Sequence, residues 1–279
     1  MSQHSQFRLL GTRRFLPFFL TQFLGAFNDN VFKQALVLAI LFRLGIEADK
    51  SLLINLCALL FILPFFLFSA FGGQLGEKYE KAWLIRRIKL AEILIMLLGA
   101  AGMLFGNLAL LLLVLFCMGS QSALFGPVKY AILPQQLASD ELVGGNALVE
   151  MGTFLAILGG TIGAGVLLGG EHYAASVSIA VVALALAGYL ASLGIPRAKA
   201  GLPDLPLDWH VLRESLRVLR LGFGQPRAVS RAMLGNSWFW FLGATYLTQI
   251  PALSKDYLGG DESVVTLILT LFSVGIALG

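Results

Sequence analysis

FLPFFLTQFLGAFNDNVFKQALVLAILF, residues 15–42, decides the reading of this chain. About 20 apolar residues cross a bilayer as a helix, so the run is long enough to span. Its middle nevertheless carries Asn28-Asp29-Asn30 and, three residues on, Lys33-Gln34. An unpaired carboxylate at the bilayer centre costs roughly 2.5–3.5 kcal/mol on insertion scales, so such a residue faces a partner or a wet cavity and marks a site. Lys33 lies four residues after Asp29, on the same helical face. Two readings are therefore open: a structural Asp29–Lys33 pair that neutralises itself, or a binding or gating cluster. The flanking amides Asn28, Asn30 and Gln34 favour the cluster, because a single ion pair does not need three of them.

The rest of the chain is equally apolar. Hydrophobic residues make up 57% and charged residues 13%, with a mean hydropathy of +0.81, whereas soluble domains carry about 25% charged residues. With the span length as ruler, hydrophobic segments run near 15–42, 51–76, 84–105, 107–127, 146–169, 174–195, 232–254 and 262–279. This is the pattern of an all-α polytopic membrane protein. Of the 20 Lys and Arg, Arg8, Arg13 and Arg14 precede the first segment, and Lys78, Lys81, Arg86, Arg87 and Lys89 follow the second. Lys129 follows the fourth, and Arg197, Lys199, Arg213, Arg217, Arg220, Arg227 and Arg231 lie between the sixth and seventh. The opposite loops hold only Arg43, Lys50 and Lys255. The positive-inside rule then places the N-terminus and each even-to-odd connection in the cytoplasm.

That distribution also accounts for the net charge of +4: the cations set topology, and a nucleic-acid partner is not expected. Cys57 and Cys117 sit inside apolar runs, which supports neither a disulfide framework nor a zinc site. His4, His172 and His210 are scattered, so no metal constellation appears. GGTIGAG at 159–165 lies within a span with no preceding strand, and neither a Ser-His-Asp set nor a phosphate-binding Gly-Lys loop stands out. The expectation is a protein that is not an enzyme and needs no cofactor. The N-terminal MSQHSQFRLLGTRR leads into the first segment without a small-residue cleavage site, which reads as a retained helix.

The longest connection, 196–231, opens with Pro196, Pro203 and Pro206. It then interleaves Trp209, Val211, Leu212, Leu216, Leu219 and Leu221 with Arg213, Arg217 and Arg220. This reads either as an amphipathic helix on the anionic inner leaflet or as an ordinary solvated loop helix. The chain divides accordingly into 1–195, the linker 196–231, and 232–279.

Six segments, a basic cytoplasmic linker and then further segments resemble the major facilitator superfamily. The loop GQLGEKYEK, 73–81, is similar to that superfamily's loop signature, although Glu77 stands where Asp is usual and Glu80 where Gly is usual. Four stretches together resemble its bacterial lysophospholipid transporter branch: FLTQFLGAFNDNVFKQALV at 19–37, ALFGPVKYAILPQ at 123–135, NALVEMGTFLAILGGTIGAG at 146–165 and SWFWFLGATYLTQIPALSKDYLGG at 237–260. The resemblance covers nearly the whole chain. It implies twelve helices in two parallel halves, of which this chain holds the first six-helix bundle and the start of the second, about eight helices. Phe23-Leu24-Gly25-Ala26 recurs as Phe241-Leu242-Gly243-Ala244, as equivalent halves would have it.

The resemblance further implies a lysophospholipid substrate, chiefly lysophosphatidylethanolamine, moved by alternating access toward the cytoplasmic leaflet of the bacterial inner membrane for reacylation. It also implies relatives fused to an acyltransferase and an acyl-carrier-protein ligase (acyl-ACP synthetase). A generic exporter of small amphiphiles or drugs is the competing transporter reading, and the transporter portion of such a bifunctional enzyme is the competing reading from another class.

A lysophospholipid needs a site polar at one end and greasy at the other. By position, Asp29 meets the head-group amine or a gating partner, with Asn28, Asn30 and Gln34 as hydrogen-bonding neighbours. Lys33 either compensates Asp29 or meets phosphate. Lys129-Tyr130, after Gly126-Pro127, either meets phosphate as substrate leaves or anchors topology. Glu150 with Thr153 forms a second intramembrane polar pair that partners Lys129 or Lys33. Trp238, Trp240 and Gln249 offer a facing wall, or the tryptophans an interfacial belt. In the loop motif, Gly73 admits close helix approach, Glu77 meets a neighbouring helix terminus, and Lys78 and Lys81 hold the loop at the surface. Gly152, Gly159, Gly160, Gly163, Gly165, Gly169 and Gly170 make the fifth segment a packing helix, with Gly159/Gly163 and Gly165/Gly169 as close-approach pairs.

Overall fold

The computed structural model describes residues 6–45 and 49–278; His4 lies outside them. A 3-10 turn, Gln6–Gly11, precedes α1 (Leu16–Phe42), α2 (Lys50–Lys78), α3 (Lys81–Leu104), α4 (Leu108–Ala131), the single turn α5 (Leu133–Gln136), α6 (Leu142–Leu168), α7 (Tyr173–Leu193), α8 (Val211–Phe223), α9 (Arg227–Asp256) and α10 (Glu262–Leu278). The described residues contain no strand. In hydrocarbon, a helix satisfies its own backbone groups, which is why an apolar chain of this kind resolves into helices alone.

Local chemistry sets the helix ends. Asp49 accepts from the Ser51 and Leu52 amides at the start of α2, Glu80 from those of Ala82 and Trp83 at the start of α3, and Asn107 from Leu110 at the start of α4. Each side chain satisfies donors that have no intrahelical acceptor. Pro17, in the first turn of α1, lacks the N–H that would otherwise be orphaned there. Between α3 and α4 the chain reverses at Gly106, whose φ of +61° is open to glycine without strain. Four helices, α2, α4, α6 and α7, are long and apolar enough to cross a membrane by length and composition. The protein is a multi-pass membrane protein, and α1 and α3 run beside those four with charges in their interiors.

α1 is the central element. It packs against α6 and α7, while α3 packs against α7 and α4, α2 against α4, and α10 against α6. Nearly every side chain of α1 from Asn28 to Leu41 is buried. Glycines set the helix separations. A Cβ on Gly119 of α4 would stand 2.5 Å from the Phe61 carbonyl oxygen of α2, and one on Gly72 of α2 would stand 2.9 Å from that of Leu124. Gly73, the sequence candidate for this role, meets only Pro127 Cβ at 4.0 Å, because its neighbour Gly72 is the one facing α4. On α6, Gly152 and Gly159 seat the rings of Phe19 and Phe27, and Gly160 lies against the Phe27 carbonyl. Gly165 seats Thr266 of α10, whereas Gly169 meets only carbonyls of its own helix, so those two glycines do not act as a pair.

Two apolar clusters result. One surrounds Phe32, Leu36, Ile40, Met96, Val114 and Val181; the other surrounds Phe15, Phe18, Ile85, Val128 and Leu148. Along α1, Gln22, Asn28, Asp29 and Asn30 lie between them, and Lys33 and Gln34 lie within the first.

Candidate functional site

The stretch that opens the sequence forms a hydrogen-bonded network with α3 and α4. Asp29 Oδ2 accepts from Ser122 Oγ at 2.5 Å, and Ser122 Oγ also lies 3.0 Å from Gln121 Oε1. Gln121 Nε2 donates to Glu92 Oε2 at 3.3 Å, Asn28 Nδ2 donates to Glu92 Oε1 at 3.1 Å, and Lys89 Nζ donates to Glu92 Oε2 at 2.6 Å. Lys89 and Glu92 are each 1% exposed. Gly25 makes room for this pair: a Cβ there would stand 2.1 Å from Lys89 Nζ. Lys89 therefore lies directly on the α1 backbone, and its ammonium also faces the Phe125 ring at 5.2 Å.

The Asp29–Lys33 ion pair does not form among the described residues. Lys33 Nζ instead donates to Asn30 Oδ1 at 3.1 Å and sits 5.0 Å from the centroid of the Phe61 ring. Asn30 Nδ2 returns to the Ala26 carbonyl at 2.7 Å. Two buried atoms of α1, Asn28 Oδ1 and Gln34 Nε2, have no partner among the described residues. The charge balance thus rests on residues the sequence reading placed elsewhere. Lys89, grouped there with the cytoplasmic cations, sits eight residues into α3, about 12 Å along the helix, and is buried. Glu92, Gln121 and Ser122 were not singled out. Glu92 carried the same signal as Asp29, a carboxylate inside an apolar run, and the i,i+3 spacing from Lys89 was legible too.

A second cluster lies two turns back along α1. Lys129 Nζ donates to Thr153 Oγ1 at 3.1 Å, and Thr153 Oγ1 donates to Gln22 Oε1 at 3.2 Å. Tyr130 OH donates to Glu150. The structure therefore brings together Lys129 with Thr153 and Tyr130 with Glu150, and adds Gln22, which the sequence reading left out. Gln22 and Asp29 are seven residues apart, so they share a face of α1 with about 10 Å between them. Trp238 and Gln249 are exposed on α9, outside both clusters. Trp240 stacks on Phe154 of α6 with ring planes 4° apart. A Cβ on Gly243 would meet nothing within 4 Å among the described residues, whereas one on Gly25 would meet Lys89, so the repeat of the tetrapeptide is not a repeat of its packing.

The loop motif holds the segment that follows α7. Lys78 Nζ donates to the Leu205 carbonyl at 2.8 Å and the Glu77 carbonyl accepts from the Leu202 amide at 2.9 Å. Glu80 Oε1 accepts from the Ala198 amide at 2.6 Å, Lys81 Nζ reaches the Lys199 carbonyl at 3.4 Å, and Gln74 Oε1 accepts from the Asp208 amide at 2.9 Å. Glu80 thus performs a task that glycine could not. α8 packs on α2 through Ser215, which donates to the Leu67 carbonyl at 3.2 Å, and leaves Arg213, Arg217 and Arg220 exposed. Ahead of α1, Arg14 clamps Glu141 through two bonds of 2.7 and 2.5 Å. Hydrogen bonding from Arg14 and the Ala138 amide holds the Glu141 carboxyl below its ordinary range. Among the described residues, no group of three His, Cys, Asp or Glu side chains could hold a metal ion.

No family model matches the chain. It is 30% identical over 264 residues to the lysophospholipid transporter LplT of Escherichia fergusonii, a match covering 93% of this chain and 63% of that protein. It is 31% identical over 263 residues to LplT of Citrobacter koseri, covering 92% and 62% respectively. Against LplT of Serratia proteamaculans it is 26% identical over 269 residues, covering 96% and 65%. The resemblance read from the sequence motifs thus extends along nearly the whole chain, which spans a little under two thirds of the relatives it matches.

Proposed function

We propose that this chain belongs to a transporter that moves lysophospholipid toward the cytoplasmic leaflet of a bacterial inner membrane by alternating access. The observation that carries the reading is its likeness to curated lysophospholipid transporters over more than nine tenths of its length. The network around Asp29 supports it chemically. A lone acyl chain needs apolar walls and its head group needs charge, and here a charged network lies between two apolar clusters. Asp29 is assigned to the head-group amine. Lys33 has no carboxylate within ion-pair distance among the described residues, so it is assigned to phosphate rather than to Asp29. Lys129, Tyr130, Glu150, Thr153 and Gln22 form a second polar station, one step nearer the basic, cytoplasmic end.

The architecture proposed is that of the major facilitator superfamily. α1–α4, α6 and α7 make the first bundle, and α9 and α10 begin the second; the cytoplasmic linker expected over residues 196–231 gives its last five residues to the first turns of α9, which starts at Arg227. The helix limits and the distribution of Lys and Arg support this layout with the N-terminus inside. An acyltransferase with an acyl-carrier-protein ligase, fused or separate, is the partner that would consume the delivered lipid. The reading is tested by reconstituting the complete protein in vesicles and following labelled lysophosphatidylethanolamine from the outer to the inner leaflet. Uptake no faster than in protein-free vesicles would refute it.

A further inference from the structure

The loops opposite the cytoplasmic cations hold only Arg43, Lys50 and Lys255, and the fold brings all three to one place, the C-terminal end of α1. Lys50, at the start of α2, donates from Nζ to the Leu41 carbonyl at 3.1 Å. Lys255, in the last turn of α9, donates to the same oxygen at 2.7 Å and lies 5.3 Å from the centroid of the Phe42 ring. Two ammonium groups therefore converge on one acceptor. Arg43 Nη2 donates to the Leu168 carbonyl at the end of α6, at 2.9 Å, and to Glu262 Oε1 of α10 at 2.7 Å. Its Nε and Nη1 have no hydrogen-bond partner among the described residues. Helix C-termini attract cations, and capping accounts for one at each. It does not account for a pair, because a helix end carries only about half a negative charge and the two ammonium groups repel each other.

Among the described residues neither lysine has a carboxylate within ion-pair distance. Asp49 is turned to the Ser51 and Leu52 amides, and Asp261 to those of Ser263 and Val264. Asp256 acts on Lys255 only through space. An anion placed between the two ammonium groups would remove their repulsion, and Arg43 keeps N–H donors for further oxygens of the same anion. We propose that Arg43, Lys50 and Lys255 are the first contact for the head-group phosphate of lysophospholipid entering from the outer leaflet, and that Glu262 holds Arg43 in its place in this conformation. This rests on the lysophospholipid reading for the lipid and for which end faces outward; the convergence of the cations does not. Lys33, assigned above to phosphate, lies ten residues back from Arg43, about 15 Å along α1. The three cations thus form the station ahead of it. Arrival is a competition: the phosphate takes Arg43 and releases the Glu262 carboxylate, which is the one ion pair of α10 among the described residues.

The test uses the complete, purified protein: binding of labelled lysophosphatidylethanolamine, its initial uptake into vesicles, and the thermal midpoint of each variant. Lys50→Gln and Lys255→Gln should each weaken binding roughly tenfold, the loss expected for one charge-assisted bond, and raise the KM for uptake rather than lower its maximal rate. Lys50→Arg and Lys255→Arg keep the charge and should restore binding, which separates loss of charge from misfolding. Glu262→Gln should act in the opposite sense and tighten binding, because the competitor for Arg43 has lost its charge. Caps and a structural salt bridge would instead lower the thermal midpoints, leaving binding unchanged in the lysine variants and no tighter in Glu262→Gln. Either binding result overturns the proposal. Inorganic phosphate titrated against the bound lipid separates a free-phosphate site from a head-group site: displacement at a concentration comparable to that of the lipid overturns the lipid assignment. Unaltered binding and uptake in every variant removes the entry site and leaves the functional reading standing. No lysophospholipid binding by the unaltered protein overturns both.

Discussion

Replacing Glu92 by Gln tests whether the Lys89–Glu92 pair is the electrostatic keystone of the site. Both side chains are 1% exposed, and Lys89 Nζ is pressed against α1 at Gly25, with no water-facing route for its charge. Removing one partner of a buried pair typically costs 3–5 kcal/mol, because the other charge is left uncompensated. At roughly 2–4 °C per kcal/mol for a chain of 150–250 residues, the loss should lower the midpoint of thermal inactivation in detergent by roughly 6 °C or more. The double variant Lys89→Gln with Glu92→Gln removes both charges, and the two amides can still bond to one another and to Asn28 and Gln121. It should recover most of the loss, giving a coupling of about 2 kcal/mol or more in the double-mutant cycle. The assay is the fraction of monodisperse protein after heating, for the parent and the three variants in one detergent. Glu92→Gln within a degree of the parent, or additive single effects, would refute the assignment.

Asp29→Asn should insert normally yet lose most lysophospholipid transport per inserted molecule; adding Lys33→Gln should not restore it, because Lys33 is bonded to Asn30 and not to Asp29. Full recovery in the double variant would make Asp29 a structural counter-ion. Gly119→Ala places a methyl 2.5 Å from the Phe61 carbonyl, which α2 can relieve only by moving its backbone. Overpacking of this kind costs about 1–3 kcal/mol and should lower the inactivation midpoint, whereas Gly126→Ala, with nothing within 4 Å, should not. Because Glu141 is held below its ordinary value by Arg14, its contribution to stability is complete above about pH 4.3 and is lost as pH falls through the folded-state value. Acid should therefore loosen the junction of α1 with α6 in the parent but not in Glu141→Gln, as read by protease accessibility near Arg14.

The long helices were legible because their ends coincide with charges and caps. Asp49, Glu80 and Asn107 stand where the apolar runs stop, so hydropathy and capping give the same limits. Asp29 was legible for the converse reason, a charge where hydropathy says none belongs. Its partners were not: a hydrophobic ruler ranks Lys89 with the loop cations because it lies near the start of its segment, and only the packing of α3 on α1 at Gly25 shows it to be interior. Ser122 and Gln121 are commonplace residues in a span, made significant by which helix faces α1. The Asp29–Lys33 pair, one of the two readings the sequence left open, does not form for a geometric reason. Four residues on one helix give two side chains a shared face, and a neighbour across the interface, here Ser122, reaches the carboxylate more directly.

The bonds that bind residues 198–208 to the tips of α2 and α3 have a mechanical consequence. Pro196, where the linker begins in the sequence, is not where slack begins, because Glu80, Lys81, Glu77, Lys78 and Gln74 grip the chain as far as Asp208. Beyond that point α8 spans thirteen residues as a single helix before α9 starts at Arg227. Because α8 is itself docked on α2, through Ser215 and the Phe71–Trp209 ring contact, the first joint between this docked segment and α9 is Gly224–Pro226. A displacement of α9 against α2 is then taken up first at Gly224–Pro226, which makes lengthening that joint a more effective way to uncouple α9 from α2 than inserting residues after Pro196.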